Sequence, residues 1–257
     1  MSTMNQESSG GAPSRSPSPF ANRLSIYPRR VRFAGHEWVI KRTTGAPAGP
    51  GPNHFSDDPA DIWVDDAGMH FTVRHHGERW TCTEAILDAH LGHGRYLWET
   101  NTRVELLDRQ LVAGFFTWDD HGDAGGPWPF REIDVEYTRW GRPEDPDVAQ
   151  FTVQPHWPPG SLLRFPVATN AADPRLTARF DWLPDRIEFS LHAGGIDGWE
   201  SAPALREWTY DGPNLQPPGR ENPRVNFWLA DGKPPREARD WELVLGGFRH
   251  EPLRARA

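Results

Sequence analysis

Residues 131–141 read REIDVEYTRWG, with three acidic side chains at alternate positions. Apolar residues alternate with the acids Glu132, Asp134 and Glu136, and this period of two predicts a strand with one apolar face. Successive side chains of a strand point to opposite faces of the sheet, so the three carboxylates should share one face. Like charges on one face repel one another. The rest of the chain must therefore offset that cost.

Short runs with the same alternation occur on both sides of this segment. They are RIEFSLH at 186–192, MHFTVR at 69–74 and WELVL at 241–245, while QLVAGFFTW at 110–118 is more continuously apolar. Stretches rich in Gly, Pro, Asn and Asp separate them, and no run indicates a long helix. Short strands with turns from end to end predict an all-β fold, with two packed antiparallel sheets in one domain.

The chain has 257 residues, enough to bury the core of one large all-β domain. Residues 1–24 are rich in Ser, Pro and Gly and lack the apolar segment of a signal peptide, so we expect a disordered tail there. The sandwich domain is expected to cover residues 25–257. On the same grounds the sequence predicts a cytoplasmic protein.

Composition excludes several partners. The net charge of −8 argues against nucleic acid and anionic membranes, which attract positive proteins, and no apolar stretch is long enough to span a bilayer. The single cysteine, Cys82, excludes an intrachain disulfide. Thirteen Trp residues exceed what a core of this size requires, and their flat apolar faces suit sugar rings as well as cores. We expect a monomer.

Signatures of metals and cofactors are weak. His90 and His93 form an H-x-x-H without a helix to align them, and WDDHGD at 118–123 has oxygen ligands without the EF-hand order. GHGR at 92–95 lacks the third glycine and the following helix of a dinucleotide site. We expect no cofactor and no metal in the functional site, while a structural calcium ion stays open.

The acidic triplet fits general acid–base chemistry. Glu132 and Glu136 are four residues apart, so their Cα atoms lie about 13 Å apart at ~3.3 Å per residue. Each side chain can lean toward Asp134, which narrows the carboxyl gap toward the ~5–5.5 Å of retaining glycosidases. Because ionising three neighbouring acids is costly, one should stay protonated near neutral pH, as a general acid requires. The alternative is a solvated strand face with incidental acids.

Further motifs accompany the acids along the chain. They are GHGRY at 92–96, LVAGFFTWDD at 111–120, WP at 128–129, FDWLPDRIEFSL at 180–191 and VNFWLADG at 225–232. Together with EIDVE they resemble, in the same order, the motifs of glycoside hydrolase family 16, the concanavalin-like β-glucanases. The resemblance spans about residues 55–250. The single residue between Asp134 and Glu136 is similar to the lichenase and xyloglucan branch of that family.

The resemblance implies a concanavalin A-like jelly roll and a retaining, endo-acting hydrolase of a β-glucan-like polysaccharide or oligosaccharide. It makes Glu132 the nucleophile, Asp134 the residue that orients and tunes it, and Glu136 the acid/base. It also implies an extracellular location, whereas the absence of a signal-peptide pattern predicts a cytoplasmic one. Four further side chains are implied to contact sugar by stacking or hydrogen bonding: Trp118, Trp128, Asn226 and Trp228.

Two alternatives remain at the level of sequence. One is a carbohydrate-binding, lectin-like protein on the same fold, without hydrolase activity. The other is a transglycosylase, which would pass the glycosyl group to another sugar instead of water. Three intact acids on one strand favour an enzyme over a lectin, because binding alone does not need them.

Overall fold

The computed structural model describes residues 23–122, 125–126 and 128–253, and it is built almost entirely of short strands. The helical elements in these residues are five 3-10 turns: Arg23–Ile26, Val104–Leu106, Pro129–Arg131, Trp199–Ser201 and Ala230–Gly232. The strands, in chain order, are β1 (Arg30–Phe33), β2 (His36–Ile40), β3 (His54–Phe55), β4 (Ile62–Asp65), β5 (Gly68–His76), β6 (Arg79–Leu87), β7 (Gly94–Thr100), β8 (Leu111–Trp118), β9 (Ile133–Thr138), β10 (Ala149–Val153), β11 (Leu162–Phe165), β12 (Leu176–Trp182), β13 (Ile187–Ala193), β14 (Ala204–Tyr210), β15 (Asn222–Leu229) and β16 (Trp241–Pro252).

The strands form two antiparallel sheets. The first sheet has the order β1-β2-β6-β15-β8-β9-β10-β11, and the second has the order β4-β5-β16-β7-β12-β13-β14. The β5–β6 hairpin passes from one sheet to the other, and the short β3 pairs with β6 in parallel. The predicted all-β fold with two antiparallel sheets is confirmed.

Aromatic side chains pack the two sheets together. Trp98 of the second sheet stacks on Phe115 of the first, with ring centroids 5.7 Å apart. Farther along the sandwich Phe151 of the first sheet stacks on Phe189 of the second at 5.0 Å. All four rings are at most 2% exposed. The apolar faces that the alternating patterns predicted therefore meet in one shared core.

The alternation in β9 divides this strand between the core and the outer face of the first sheet. Ile133, Val135 and Tyr137 are fully buried in the core. Glu132 lies just before β9 in an extended conformation, and its carbonyl accepts a hydrogen bond from the Gln154 backbone at 3.1 Å. The three acids consequently share the face of the sheet that points away from the core.

The chain is already folded at the start of the described segment. Of the tail predicted over residues 1–24, residues 1–22 lie outside the described residues, and Arg23 and Leu24 begin a 3-10 turn. Leu24 is 2% exposed and forms a small cluster with Val39 and Ile86, separate from the main core. In the described residues, no helix has the length and apolar character needed to cross a bilayer.

We expect Leu24→Ala to lower the free energy of unfolding by roughly 2–4 kcal/mol, because it leaves a cavity against Val39 and Ile86. Ile26 in the same turn is 69% exposed, so Ile26→Ala should change the free energy of unfolding by less than about 0.5 kcal/mol. Urea unfolding of both variants measures the difference. Equal stability of the two variants would contradict the packing of this turn.

Candidate functional site

The three acids line a cavity of about 540 Å³ on the outer face of the first sheet. The cavity lies over β6, β15, β8 and β9, whose side chains alternate between its floor and the core. Its described lining comprises Ile26, Tyr27, Lys41, Ala48, Gly49, Pro50, Glu84, Phe116, Trp118, Asp120, Glu132, Asp134, Glu136, Arg224, Asn226 and Trp228. The strand pairing brings together residues that are nearly two hundred positions apart in the sequence.

Burial and mutual repulsion hold protons on the triplet. Burial, reinforced by the charge of Glu136, raises the pKa of Glu132 to about 8. Burial also raises the pKa of Glu136 to about 7. The pKa of Asp134, which lies between them, is raised well above its ordinary range by burial and then by the charges of both glutamates. The three groups therefore carry fewer than three charges at neutral pH.

Hydrogen bonds from neighbouring strands fix the acids in place. The Gln150 amide of β10 donates to Glu136 Oε2 at 2.7 Å, while its oxygen accepts from Arg164 at 2.7 Å. The Gln154 amide donates to Asp134 Oδ2 at 3.3 Å. A hydrogen bond with Asp134 lowers the pKa of Glu132 and opposes the effect of burial. Each acid thus has a defined partner.

Strand β15 presents a row of polar atoms to the cavity at every second position. Arg224 Nε, Asn226 Oδ1 and Trp228 Nε1 are buried and have no hydrogen-bond partner among the described residues. Gly114 of β8 makes room for this row, since a Cβ at that position would lie 2.5 Å from Asn226 Oδ1. Buried polar groups normally find partners, so this row is suited to a polar ligand.

A chain of ion pairs crosses the cavity beside this row. Lys41 Nζ lies 2.7 Å from Glu84 Oε2, and Arg224 lies 3.4 Å from Glu84 Oε1 and 2.8 Å from Asp120 Oδ2. The sequence motifs included Asp120 but did not single out the other three residues, Lys41, Glu84 and Arg224. Arg224 could have been found because it shares the period of two with Asn226, whereas Glu84 and Lys41 stand in unremarkable strands.

Three of the four residues predicted to contact sugar line this cavity. Trp118, Asn226 and Trp228 line the cavity with the acids, and Trp118 stacks on Phe130 with ring centroids 4.1 Å apart. Trp128 does not line it and precedes the 3-10 turn before the acids. Sugar contact by these four residues stays a prediction.

The acidic loop after β8 is paired with arginines. Arg131 lies 2.8 Å from Asp119 Oδ2, and Arg224 neutralises Asp120. No group of three or more metal-binding side chains was found in the part of the chain that the structure describes, which omits residues 123, 124 and 127 of this loop. Calcium binding therefore stays an open expectation.

Comparison with known proteins identifies the fold. No protein-family model and no curated protein sequence matches the chain. Among solved structures it is similar to the Bacillus licheniformis β-glucanase, with a TM-score of 0.59, 18% identity and coverage of 84% of this chain and 92% of that chain. The chain has the jelly-roll fold of this glucanase.

Two further structures show the range of proteins with this fold. A glycoside hydrolase family 16 endo-glucanase from Bacteroides ovatus has a TM-score of 0.58 and 9% identity, covering 83% of this chain and 94% of that chain. A pseudo β-1,3-glucanase of Mycobacterium tuberculosis has a TM-score of 0.59 and 15% identity, covering 84% and 91%. At these identities the similarity establishes the fold.

The raised pKa values make the stability of the protein depend on pH. Between the ordinary glutamate pKa of 4.5 and the raised pKa of about 8 at Glu132, the folded chain binds more protons than the unfolded chain. The free energy of unfolding therefore falls as the pH rises through this window. We expect Glu132→Gln to be more stable than the unsubstituted chain near pH 8, by roughly 1–3 kcal/mol, with the difference shrinking toward pH 4.5.

Urea unfolding at both ends of that window measures this effect. The exposed Glu207 provides the matched control, because Glu207→Gln makes the same substitution on the surface of β14, away from the cavity. A constant difference between Glu132→Gln and the unsubstituted chain across the window would contradict the raised pKa.

Proposed function

We propose that the chain is a retaining β-glycoside hydrolase of the family 16 type that acts on a β-glucan-like polysaccharide. The observation that carries the proposal is the set of three carboxyls on one face of β9 and the residue just before it, inside the cavity and with every pKa raised. Such a set can hold one carboxylate and one carboxylic acid side by side at neutral pH, which a double-displacement reaction requires.

The proposed reaction has two steps. In the first, Glu132 attacks the anomeric carbon and forms a covalent glycosyl ester while Glu136 donates its proton to the departing oxygen. In the second, Glu136 removes a proton from water, and the water oxygen displaces Glu132 from the sugar. The anomeric configuration is inverted twice and thus retained.

Asp134 supports this division of roles. The pKa values alone do not assign them, because Glu132 has the higher of the two raised pKa values in the free protein. Asp134 has its own pKa raised well above the ordinary range by burial and shares a hydrogen bond with Glu132, so a proton on Asp134 stabilises the ionised form of Glu132. The charge of Arg224 acts in the same direction on Glu132.

A lectin is the less suitable alternative for this cavity. The unpartnered polar row of β15 would suit a bound sugar in either kind of protein. Binding alone, however, gains nothing from three clustered acids whose pKa values are all raised. Fold does not settle the matter, since similar structures include a pseudo-glucanase. Transfer to a second sugar instead of water remains a variant of the same second step.

Replacing the nucleophile should abolish turnover of polymer substrates. We expect Glu132→Ala to lower kcat by at least about 10³-fold, because no covalent intermediate can form. Release of reducing ends from a panel of β-glucans, xyloglucan, galactans and chitin-like polymers measures activity and identifies the substrate. Glu207→Gln on the exposed edge strand is the matched control. Full activity of Glu132→Ala on the polymer that the unsubstituted chain cleaves would contradict the site.

The two glutamates should respond differently to substitution. Aryl glycosides with good leaving groups need no proton, so Glu136→Ala should keep its first step on them, and azide should rescue its second step as a β-glycosyl azide. Glu132→Ala should show no such β-azide product. NMR of the products measures the anomeric configuration. First-formed products of opposite configuration to the substrate would contradict the retaining mechanism.

Tryptophans of the cavity should contribute to binding more than to folding. Trp118 lines the cavity, so we expect Trp118→Ala to weaken binding of the cleaved glycan, measured by titration of Trp fluorescence in the Glu132→Gln background. Trp63, stacked on His70 in the second sheet, offers the control. Binding by Trp118→Ala as tight as by Trp63→Ala would exclude Trp118 from the sugar contacts.

A further inference from the structure

One side of the cavity face is covered by the chain itself. Cross-strand pairs Val39↔Ile86, Ile86↔Arg224, Arg224↔Phe116 and Phe116↔Asp134 run along one row of the first sheet. Directly paired residues project to the same side of a sheet, so Val39 and Ile86 lie on the face that carries the acids. On this face a groove would be expected to run across all the strands.

The N-terminal turn blocks that groove over β2 and β6. Leu24 packs on Val39 and Ile86, which are at most 1% exposed, and Tyr27 packs against this cluster. Ile26 and Tyr27 then line the cavity at the same end. The turn thus fills the path that a polysaccharide would follow beyond β15.

A second segment completes the wall. Gly49 and its neighbours line the cavity beside the turn, and Lys41 Nζ donates to the Gly49 carbonyl at 2.6 Å while pairing with Glu84. Asn53 and Ala48 exchange backbone hydrogen bonds at 2.8 and 3.0 Å, and the Asn53 side chain donates to the Leu229 carbonyl of β15. The loop is therefore tied to the sheet rather than free above it.

The opposite side of the acids has apolar side chains exposed to solvent. Thr152 of β10 pairs with Asp134 and with Leu162 of β11, so Leu162 continues the row of the acid on the same face. Leu162 is 37% exposed. Trp157, on the connection between these strands, is 71% exposed. The cavity is closed toward β2, whereas side chains beyond β10 on the other side of the acids are exposed to solvent.

We propose, resting on the hydrolase function proposed above, that the walled side admits only the terminal sugars of a glycan. The volume of about 540 Å³ is that of a site for one drug-sized molecule, roughly one to three sugar rings. The remaining chain leaves past Leu162 and Trp157. Cleavage therefore occurs at a fixed short distance from a chain end, and not at internal positions as the family resemblance implies.

The loss of viscosity per bond cleaved tests this inference, because internal cleavage shortens chains quickly while end cleavage does not. On the polymer it hydrolyses, the full-length chain should release reducing ends and one short product from the earliest times, with little loss of viscosity. Leu24→Asp should detach the turn, broaden the product sizes and raise the viscosity loss per bond several-fold. The exposed Ser25 gives the control variant Ser25→Ala, which should behave as the unsubstituted chain.

Leu24→Asp removes a buried side chain, so a second variant keeps the test independent of stability. The double substitution Ile26→Gly with Tyr27→Ala trims the wall, leaves Leu24 in place and should shift the products in the same direction. Rapid viscosity loss by the unsubstituted chain, or unchanged products from a folded wall variant, would overturn the inference and leave the hydrolase function intact. Failure to cleave any β-linked polymer would overturn both.

Discussion

The crowding of three carboxyls on one face of the first sheet is the constraint on which the site depends. The acids cannot move to the opposite face of the sheet, because that face carries Ile133, Val135 and Tyr137 into the core. Core packing on one side thus enforces electrostatic repulsion on the other. Neighbouring strands reduce this cost locally through the amide of Gln150 and the charge of Arg224, but burial still keeps each pKa raised.

The aromatic residues are likewise divided between the core and the cavity. Trp38, Trp98 and Trp182 are fully buried, and Trp98 helps to join the two sheets. The core therefore contains more of the tryptophan residues than the composition alone indicated. Trp118 and Trp228 differ from these because they face the cavity.

Local patterns predicted the strands well because the alternation of apolar and polar residues within a strand identifies its buried face. The alternation around Phe71, Phe189 and Leu243 correctly indicated which side chains enter the core. The row of acids proposed as catalytic was recognised from the same alternation. Lys41 and Glu84 were not found, because their importance depends on the ion pairs that Glu84 forms with Lys41 and with Arg224, which only the strand order of the sheet creates. Burial of Leu24 likewise depends on Val39 and Ile86, which lie farther along the chain, so the composition of residues 1–24 did not predict it.

The strand order surrounds the cavity with contacts between residues that lie far apart in the sequence. The ion pair between Arg224 and Glu84 joins residues 140 positions apart, and Asn53 contacts Leu229 across 176 positions. Contacts of such sequence separation carry a large loop-closure entropy and form slowly. The cavity therefore cannot be assembled by any early, local part of the chain. A nascent or partly folded molecule has the three acids without the wall and the polar row that surround them, so the proposed activity is expected to emerge only with the last strands of the first sheet in place.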